Sequence, residues 1–446
     1  MVSLALFLGC QPAAEQNSRN LDISGRVSEK ELLVVDKSTQ QDRNLLYKDD
    51  PTVSYCEASL ETTDRQPKFY SGFRDFKLYR SASLSKIFVT AWAINRLGAQ
   101  YQFKQTWSVI KNKDKSFDVY FDSGGDPVFN IEKIQYALSQ LSKSGLQSIR
   151  NLYVSPNTRI YLSVLSNPHA ELKNVPVTAE ETIDNLKLVL NSKNWAQQTL
   201  RARENILAHA KMYRADVFNQ LKLAQKFSVD KVLYDFDSQY KESFKNAFKI
   251  QIHSAPLYKY LKEINLSSNN YLSDALFSLL GGEKGFLTFQ RNVLGLEMNH
   301  VYMRTGSGLP KIVQGQRYDN LASCYGLMRA IHFVKLAADQ NSVNLGQLLL
   351  TAGLDLGGTY TTDYKINRSV VVKTGRLYEY PTLNLAGAVS THQGLIAFAF
   401  LGHDFNNQNE NIMKQKRDHL LNDVLSFYKE KPYFSTIENN TIFFSY

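Results

Sequence analysis

Cysteine is scarce in this chain, with three residues in 446. That excludes a disulfide framework as the main source of stability, and no Cys/His cluster has the spacing of a metal site. No apolar run is long enough to span a bilayer. Internal repeats and low-complexity tracts are lacking, which excludes a solenoid. Basic and aromatic residues do not interleave, so nucleic acid is not an indicated partner. The formal charge of +10 suits an anionic envelope or an acidic substrate instead. What remains is ordinary globular material, 43% hydrophobic and long enough for two domains and a sizeable core.

The N-terminus carries an address. Val2 to Gly9 is a short apolar run ending Leu6-Phe7-Leu8-Gly9-Cys10, followed by the polar stretch Gln11 to Asn20. This resembles the end of a bacterial lipoprotein signal, which implies export to the periplasm and membrane attachment through an acylated Cys10. No Lys or Arg precedes the run, a departure from export signals, and an ordinary cleaved signal peptide is the other reading. Residues 1–20 are therefore read as leader and tether. Cys56 and Cys324 either pair in an oxidising compartment or are simply buried, and their separation along the chain favours simple burial.

Apolar periodicity predicts helices over Ala82–Leu97, Ile131–Ser142, Ala179–Leu190, Trp195–Lys226, Pro256–Ile264, Asn269–Leu280, Leu321–Ala338 and Asn409–Tyr428. Strands are clearest late: Ser369–Lys373 is β-branched, and Thr382–Ser390 and Leu395–Gly402 flank a hairpin signal, Thr391-His392-Gln393-Gly394. The fold class expected is α+β, an antiparallel sheet flanked by helices and split by a long middle. Residues 21–107 and 250–446 form the sheet-bearing domain in this reading. Residues 108–249, rich in polar helical patterns and poor in strand signals, form an inserted accessory domain. Within Trp195–Lys226, Leu200, Ile206, Leu207, Met212, Val217, Leu221 and Leu223 are read as packing positions.

Three short motifs carry the chemistry. Ser83-Leu84-Ser85-Lys86 opens a helix, where backbone N–H groups favour developing negative charge. Three residues on, the Lys86 amine can return to the serine hydroxyl, and a lysine acts as a base once burial or a second cation depresses its pKa. Lys373 is a candidate for that cation. The spacing alone is weak, since Ser108/Lys111 and Ser228/Lys231 share it. Ser268-Asn269-Asn270 supplies a Ser-x-Asn pair, with Ser267/Asn269 as a competing register. Lys373-Thr374-Gly375 follows Val370-Val371-Val372, and Gly375 is expected to let a substrate backbone approach the strand. Joint occurrence, in this order and on these elements, is what makes the motifs informative.

The flanking residues resemble the class C low-molecular-mass penicillin-binding proteins, D-alanyl-D-alanine carboxypeptidase/endopeptidases of the bacterial periplasm. The resemblance rests on Ser81-Ala82-Ser83-Leu84-Ser85-Lys86, Gly124-Gly125-Asp126-Pro127, His253-Ser254-Ala255-Pro256-Leu257, Gly306-Ser307-Gly308-Leu309, Gly358-Thr359 and Val372-Lys373-Thr374-Gly375, in family order. It selects the Ser268/Asn270 register and implies a β-lactamase/transpeptidase-like fold with a reduced accessory domain. It also implies Ser83 as nucleophile, Lys86 as general base, Ser268 as proton relay, Asn270 and Lys373 as orienting and charge-bearing groups, and Thr374, Gly375 and Arg376 as substrate contacts. Peptidoglycan stem peptides would be the substrate and β-lactam antibiotics covalent inhibitors, and no cofactor is needed. Ser81, Thr305, Pro310 and Arg376 depart from the family pattern. Arg376, where threonine is usual, could pair with a carboxylate beyond a cross-link and so favour endopeptidase work. A β-lactamase or esterase on the same fold, or a catalytically silent wall-peptide-binding protein, are the alternative readings.

Overall fold

A computed structural model of the protein describes residues 47–63, 66–67, 70–127, 129–160, 178–224, 226–355, 358–360, 368–433 and 442. The 1–20 leader, with Cys10, lies outside the described residues.

A six-stranded antiparallel sheet organises the larger part. Its strands run in the spatial order Leu350–Thr351, Val370–Leu377, Thr382–Thr391, Gly394–His403, Val53–Ser59 and Tyr70–Phe73. The period-2 pattern of the late strands divides it into two different faces. Leu383, Leu385, Val389, Ile396, Phe398 and Phe400 meet Met413, Leu420, Leu421 and Val424 of the helix Glu410–Phe427. The opposite face is lined by Ala386, Ala388, Ala397 and Ala399. Those short side chains let the helix Cys324–Gln340 lie close on the sheet, and the helix Ser85–Leu97 packs beside it. Ser85 to Ile94 is buried on every side, so this helix forms the centre of the core and carries Lys86 and Thr90 into it.

The late strands and most helices lie where periodicity predicts them. The early strands Val53–Ser59 and Tyr70–Phe73 and the helix Gly282–Asn292 are additions. Cys56 and Cys324 are both buried and also joined by a disulfide, so the pairing reading is the one the structure shows. The bond ties a sheet strand to the first residue of the helix packed over it. It closes a separation of 268 residues, the kind of long loop whose closure most restricts the unfolded chain.

The middle of the chain corrects an expectation, because it is not poor in strands. Phe248–His253, Lys104–Lys111, Phe117–Asp122, Ser148–Val154 and Ser228–Tyr234 form a five-stranded mixed sheet in that order. Helices Ile131–Lys143, Ala179–Leu190 and Gln197–Tyr213 share a separate core with it, built on Trp107, Phe121, Ile134, Leu138, Leu186 and Ile206. The long helix predicted over Trp195–Lys226 is broken at Arg214 and ends at Gln220. Of its predicted packing positions Ile206 is buried, and Val217, Leu221 and Leu223 lie against the core, but Leu200, Leu207 and Met212 are exposed.

A buried ionic cluster joins the two parts. Asp126, from the Gly-Gly-Asp-Pro stretch, accepts from Lys133 Nζ at 2.6 Å and from Tyr260 Oη at 3.2 Å, and Lys133 also donates to Tyr260. Next to it, Tyr271 Oη donates to the Pro127 carbonyl at 2.7 Å.

Candidate active site

The Ser83 turn is shaped by strain and by polar struts. Ala82 holds a left-handed φ of 48°, which starts the 3-10 turn Ala82–Leu84 that runs straight into the helix Ser85–Leu97. Asn384, from the sheet, donates to the carbonyls of Arg80 and Ser81, and Asn320 donates to Ser85 Oγ at 2.9 Å. Ser81 and Ser85 share a hydroxyl–hydroxyl bond of 2.8 Å. The sharp turn leaves Ser83 only partly buried while Leu84 and Ser85 face inward.

Lys86 is fully buried, and its amine is pinned by three acceptors. Nζ donates to Ser83 Oγ at 2.9 Å, to Asn270 Oδ1 at 2.8 Å and to the Ser307 carbonyl at 2.6 Å. The loop between helices Leu257–Leu266 and Asn270–Leu279 supplies the second motif. Ser268 takes a left-handed φ of 57° there, Asn269 caps the following helix by accepting from the Leu272 N–H, and Asn270 is its first residue. Ser267 turns away, to Glu263. The residues brought to the buried lysines are thus Ser268 and Asn270.

Lys373, on the strand Val370–Leu377, donates from full burial to Ser268 Oγ at 3.0 Å. Desolvation, and after it the charge of Lys86, hold its amine well below the usual lysine range. Thr374 Oγ1 lies 2.8 Å from Thr359 Oγ1 on the exposed rim. Residues scattered over the chain are therefore gathered into two hydrogen-bonded groups, Ser83–Lys86–Asn270 and Ser268–Lys373, close enough for the Lys86 charge to act on Lys373. Among the described residues no group of three or more metal-ligating side chains is gathered.

Two expected substrate contacts are placed differently. Gly375 is buried, and a Cβ there would lie 2.9 Å from the Ser81 carbonyl and 3.2 Å from the Leu84 nitrogen. Its lack of a side chain lets the nucleophile turn seat on the strand. Arg376 is exposed, but its guanidinium bonds Glu410 at 2.5 Å and stacks over Tyr378. Thr305 spends its hydroxyl on the Leu309 carbonyl, closing its own loop.

One residue of the constellation escaped the motif reading. Asp274 accepts the Ser307 N–H at 2.7 Å, one step from Lys86. The signal that would find it is its place four residues after Asn270, on the same helix face.

A family model for D-Ala-D-Ala carboxypeptidase 3 (S13) matches residues 63–170 and 212–424. This chain belongs to the S13 family. Among solved structures, the S13 chain is similar to Bd3459, a predatory peptidoglycan endopeptidase from Bdellovibrio bacteriovorus. The TM-score is 0.76 at 20% identity, over 88% of this chain and 96% of that one. A penicillin G-acylated Bd3459, in complex with immunity protein Bd3460, gives 0.70 at 22% identity, over 88% and 98%. Penicillin binding protein 4 (dacB) from Haemophilus influenzae gives 0.53 at 17% identity, over 83% and 96%. These likenesses show a shared fold. No curated protein matches the chain at a significant level.

Proposed function

We propose that this S13 peptidase hydrolyses D-Ala-D-Xaa bonds of peptidoglycan stem peptides through an acyl-enzyme on Ser83, as a carboxypeptidase, an endopeptidase or both. The observation that carries the reading is the Lys86 amine bonded at once to Ser83 Oγ and Asn270 Oδ1. With the proton it directs at Ser83 Oγ removed, the Lys86 amine accepts the Ser83 proton as Oγ attacks the carbonyl carbon. The backbone N–H groups of Ser83 and Arg376 hold the oxyanion, each worth about 3–4 kcal/mol in the transition state. Ser268, bonded to Lys373, passes a proton to the leaving amine as the C–N bond breaks. The proton delivered to the amine is replaced from the one Lys86 took, so Lys86 is neutral again when water attacks the ester. It takes a proton from that water and returns it to Ser83 Oγ as the C–O bond breaks. Asn270 orients the Lys86 amine, and Thr374 faces the substrate carboxylate.

The same chemistry accounts for penicillin sensitivity, since a β-lactam presents a strained amide to Ser83 and leaves a stable ester. The penicillin-acylated relative supports that reading. A buried disulfide fits an oxidising compartment outside the cytoplasm. Among the described residues no helix is long and apolar enough to cross a membrane, and attachment through acylated Cys10 is part of the proposal. Residues 108–249 are taken as the inserted accessory domain, supported by the separate core beneath the mixed sheet.

Fluorescent penicillin tests the assignment. Wild type should label stably, and Ser83→Ala and Lys86→Ala should each slow labelling at least about a thousandfold while melting as folded proteins. Labelling that turns over would favour a β-lactamase, and none at all in wild type would favour a silent binding protein. Digestion of purified muropeptides, read by mass, then separates loss of terminal D-alanine from opening of cross-links.

A further inference from the structure

Asp274 and Lys86 grip the same residue from opposite sides. The Asp274 carboxylate accepts the Ser307 N–H at 2.7 Å, and the Ser307 carbonyl accepts Lys86 Nζ at 2.6 Å. The segment carrying Ser307 is seated hard on the helix Asn270–Leu279. A Cβ on Gly306 would fall 2.3 Å from the Ser273 carbonyl and 2.7 Å from Phe277 Cβ. Ser273 Oγ donates to the Gly306 carbonyl at 2.9 Å. The loop therefore has one seat, and Asp274 is its charged anchor.

We propose that Asp274 is a positioning residue for Lys86, its carboxylate fixing Ser307, whose carbonyl aims the lysine amine at Ser83, and its negative charge favouring the protonated amine. The proposal rests on reading Ser83 and Lys86 as nucleophile and base. Two amines are buried side by side here, Lys86 and Lys373, and each disfavours charge on the other. Asp274 supplies the opposite charge. Burial pushes its own carboxyl up, while the Ser307 N–H, the Ser307 hydroxyl, the Lys86 charge and the Gly306 N–H act to hold it down. The groups that bond or face Lys86 come from several elements. Ser83 lies on its own chain segment, Asn270 and Asp274 on the helix Asn270–Leu279, the Ser307 carbonyl on the loop, and Lys373 on the strand Val370–Leu377. Glu263, on the preceding helix, is engaged by Ser267 and Asn269.

The test is the pH profile of acylation by fluorescent penicillin in wild type, Asp274→Asn and Asp274→Ser. The asparagine keeps an acceptor for the Ser307 N–H and removes only the charge, and the smaller serine guards against a misfit of the amide. Without the carboxylate the Lys86 amine gives up its proton more readily. The acidic limb of both variants should then move to lower pH by about one unit. A merely structural role would scale the rate equally at every pH. Limbs that stay at the wild-type position, with wild type labelling normally, would overturn the proposal alone. Wild type that never labels would overturn the reading of the site and this proposal with it.

Discussion

Lys373 reaches Ser268 at 3.0 Å from full burial, and its amine is held well below the ordinary lysine value near 10.5. The unfolded chain keeps the ordinary value. Between the folded and unfolded pKa, the unfolded chain binds a proton that the folded chain lacks, so falling pH works against the fold. Lys373→Met removes that contribution. Its stability relative to wild type should rise as the pH is lowered from about 10.5 and level off below the folded pKa, while acylation is lost. Denaturant unfolding of both proteins across that range checks it. A constant difference would mean Lys373 is not depressed.

The disulfide should matter to stability more than to chemistry. Neither Cys56 nor Cys324 touches the Ser83 constellation, although the helix that Cys324 begins follows closely on Asn320, which braces Ser85. Cys56→Ala with Cys324→Ala should cost about 2–4 kcal/mol in denaturant unfolding and leave penicillin labelling of the folded protein near wild type. Reduction of wild type should lower its stability to the level of the double variant.

Much of this site was legible in the sequence, and the reasons for the gaps are physical. Ser83, Lys86, Ser268 and Asn270 sit at or beside helix starts, and Lys373 follows a β-branched run inside its strand, so each leaves a local mark. The choice between Ser268/Asn270 and Ser267/Asn269 was not local. It turns on a left-handed φ at Ser268 that no propensity assigns to serine. In the five-stranded mixed sheet, the central strand Ser148–Val154 pairs in parallel with both neighbours, so no hairpin turn announces that strand. Asp118 accepts from both Arg150 and Asn151, and this adjacent polar pair interrupts the apolar alternation between Ile149 and Leu152. At Gly375 the sequence shows a need for room but not that the protein's own Ser81–Leu84 turn is one neighbour that uses it.

Arg376 is the departure whose effect is most open to measurement. Its guanidinium is already satisfied by Glu410, which Lys414 also contacts at 2.7 Å. A substrate carboxylate beyond a cross-link would have to displace Glu410. Glu410→Gln should therefore raise cleavage of cross-linked dimer relative to linear pentapeptide by about tenfold, near the value of one charge-assisted hydrogen bond. Adding Arg376→Thr should erase that gain. Ratios of kcat/KM on the two substrates check both steps, and an unchanged ratio would make Arg376 a strut between strand and helix.

The ionic cluster at the Gly-Gly-Asp-Pro stretch makes the sharpest stability claim. Lys133 is buried, and desolvation drives its amine below the ordinary value even though the Asp126 charge works the other way. The pair therefore survives only as a pair. Asp126→Ala leaves a buried ammonium with Tyr260 as its remaining side-chain contact from this cluster, and should cost about 3–5 kcal/mol. Asp126→Leu combined with Lys133→Met removes both charges and should recover most of that loss, because neither desolvation nor attraction remains. Asp126 and Lys133 hold the helix Ile131–Lys143 to Tyr260 of the helix Leu257–Leu266, so the single variant should also loosen that junction. Hydrogen exchange should then rise first in Ile131–Lys143 and Leu257–Leu266. Equal stability of the single and double variants would show that the charge left behind is not what the junction cannot tolerate.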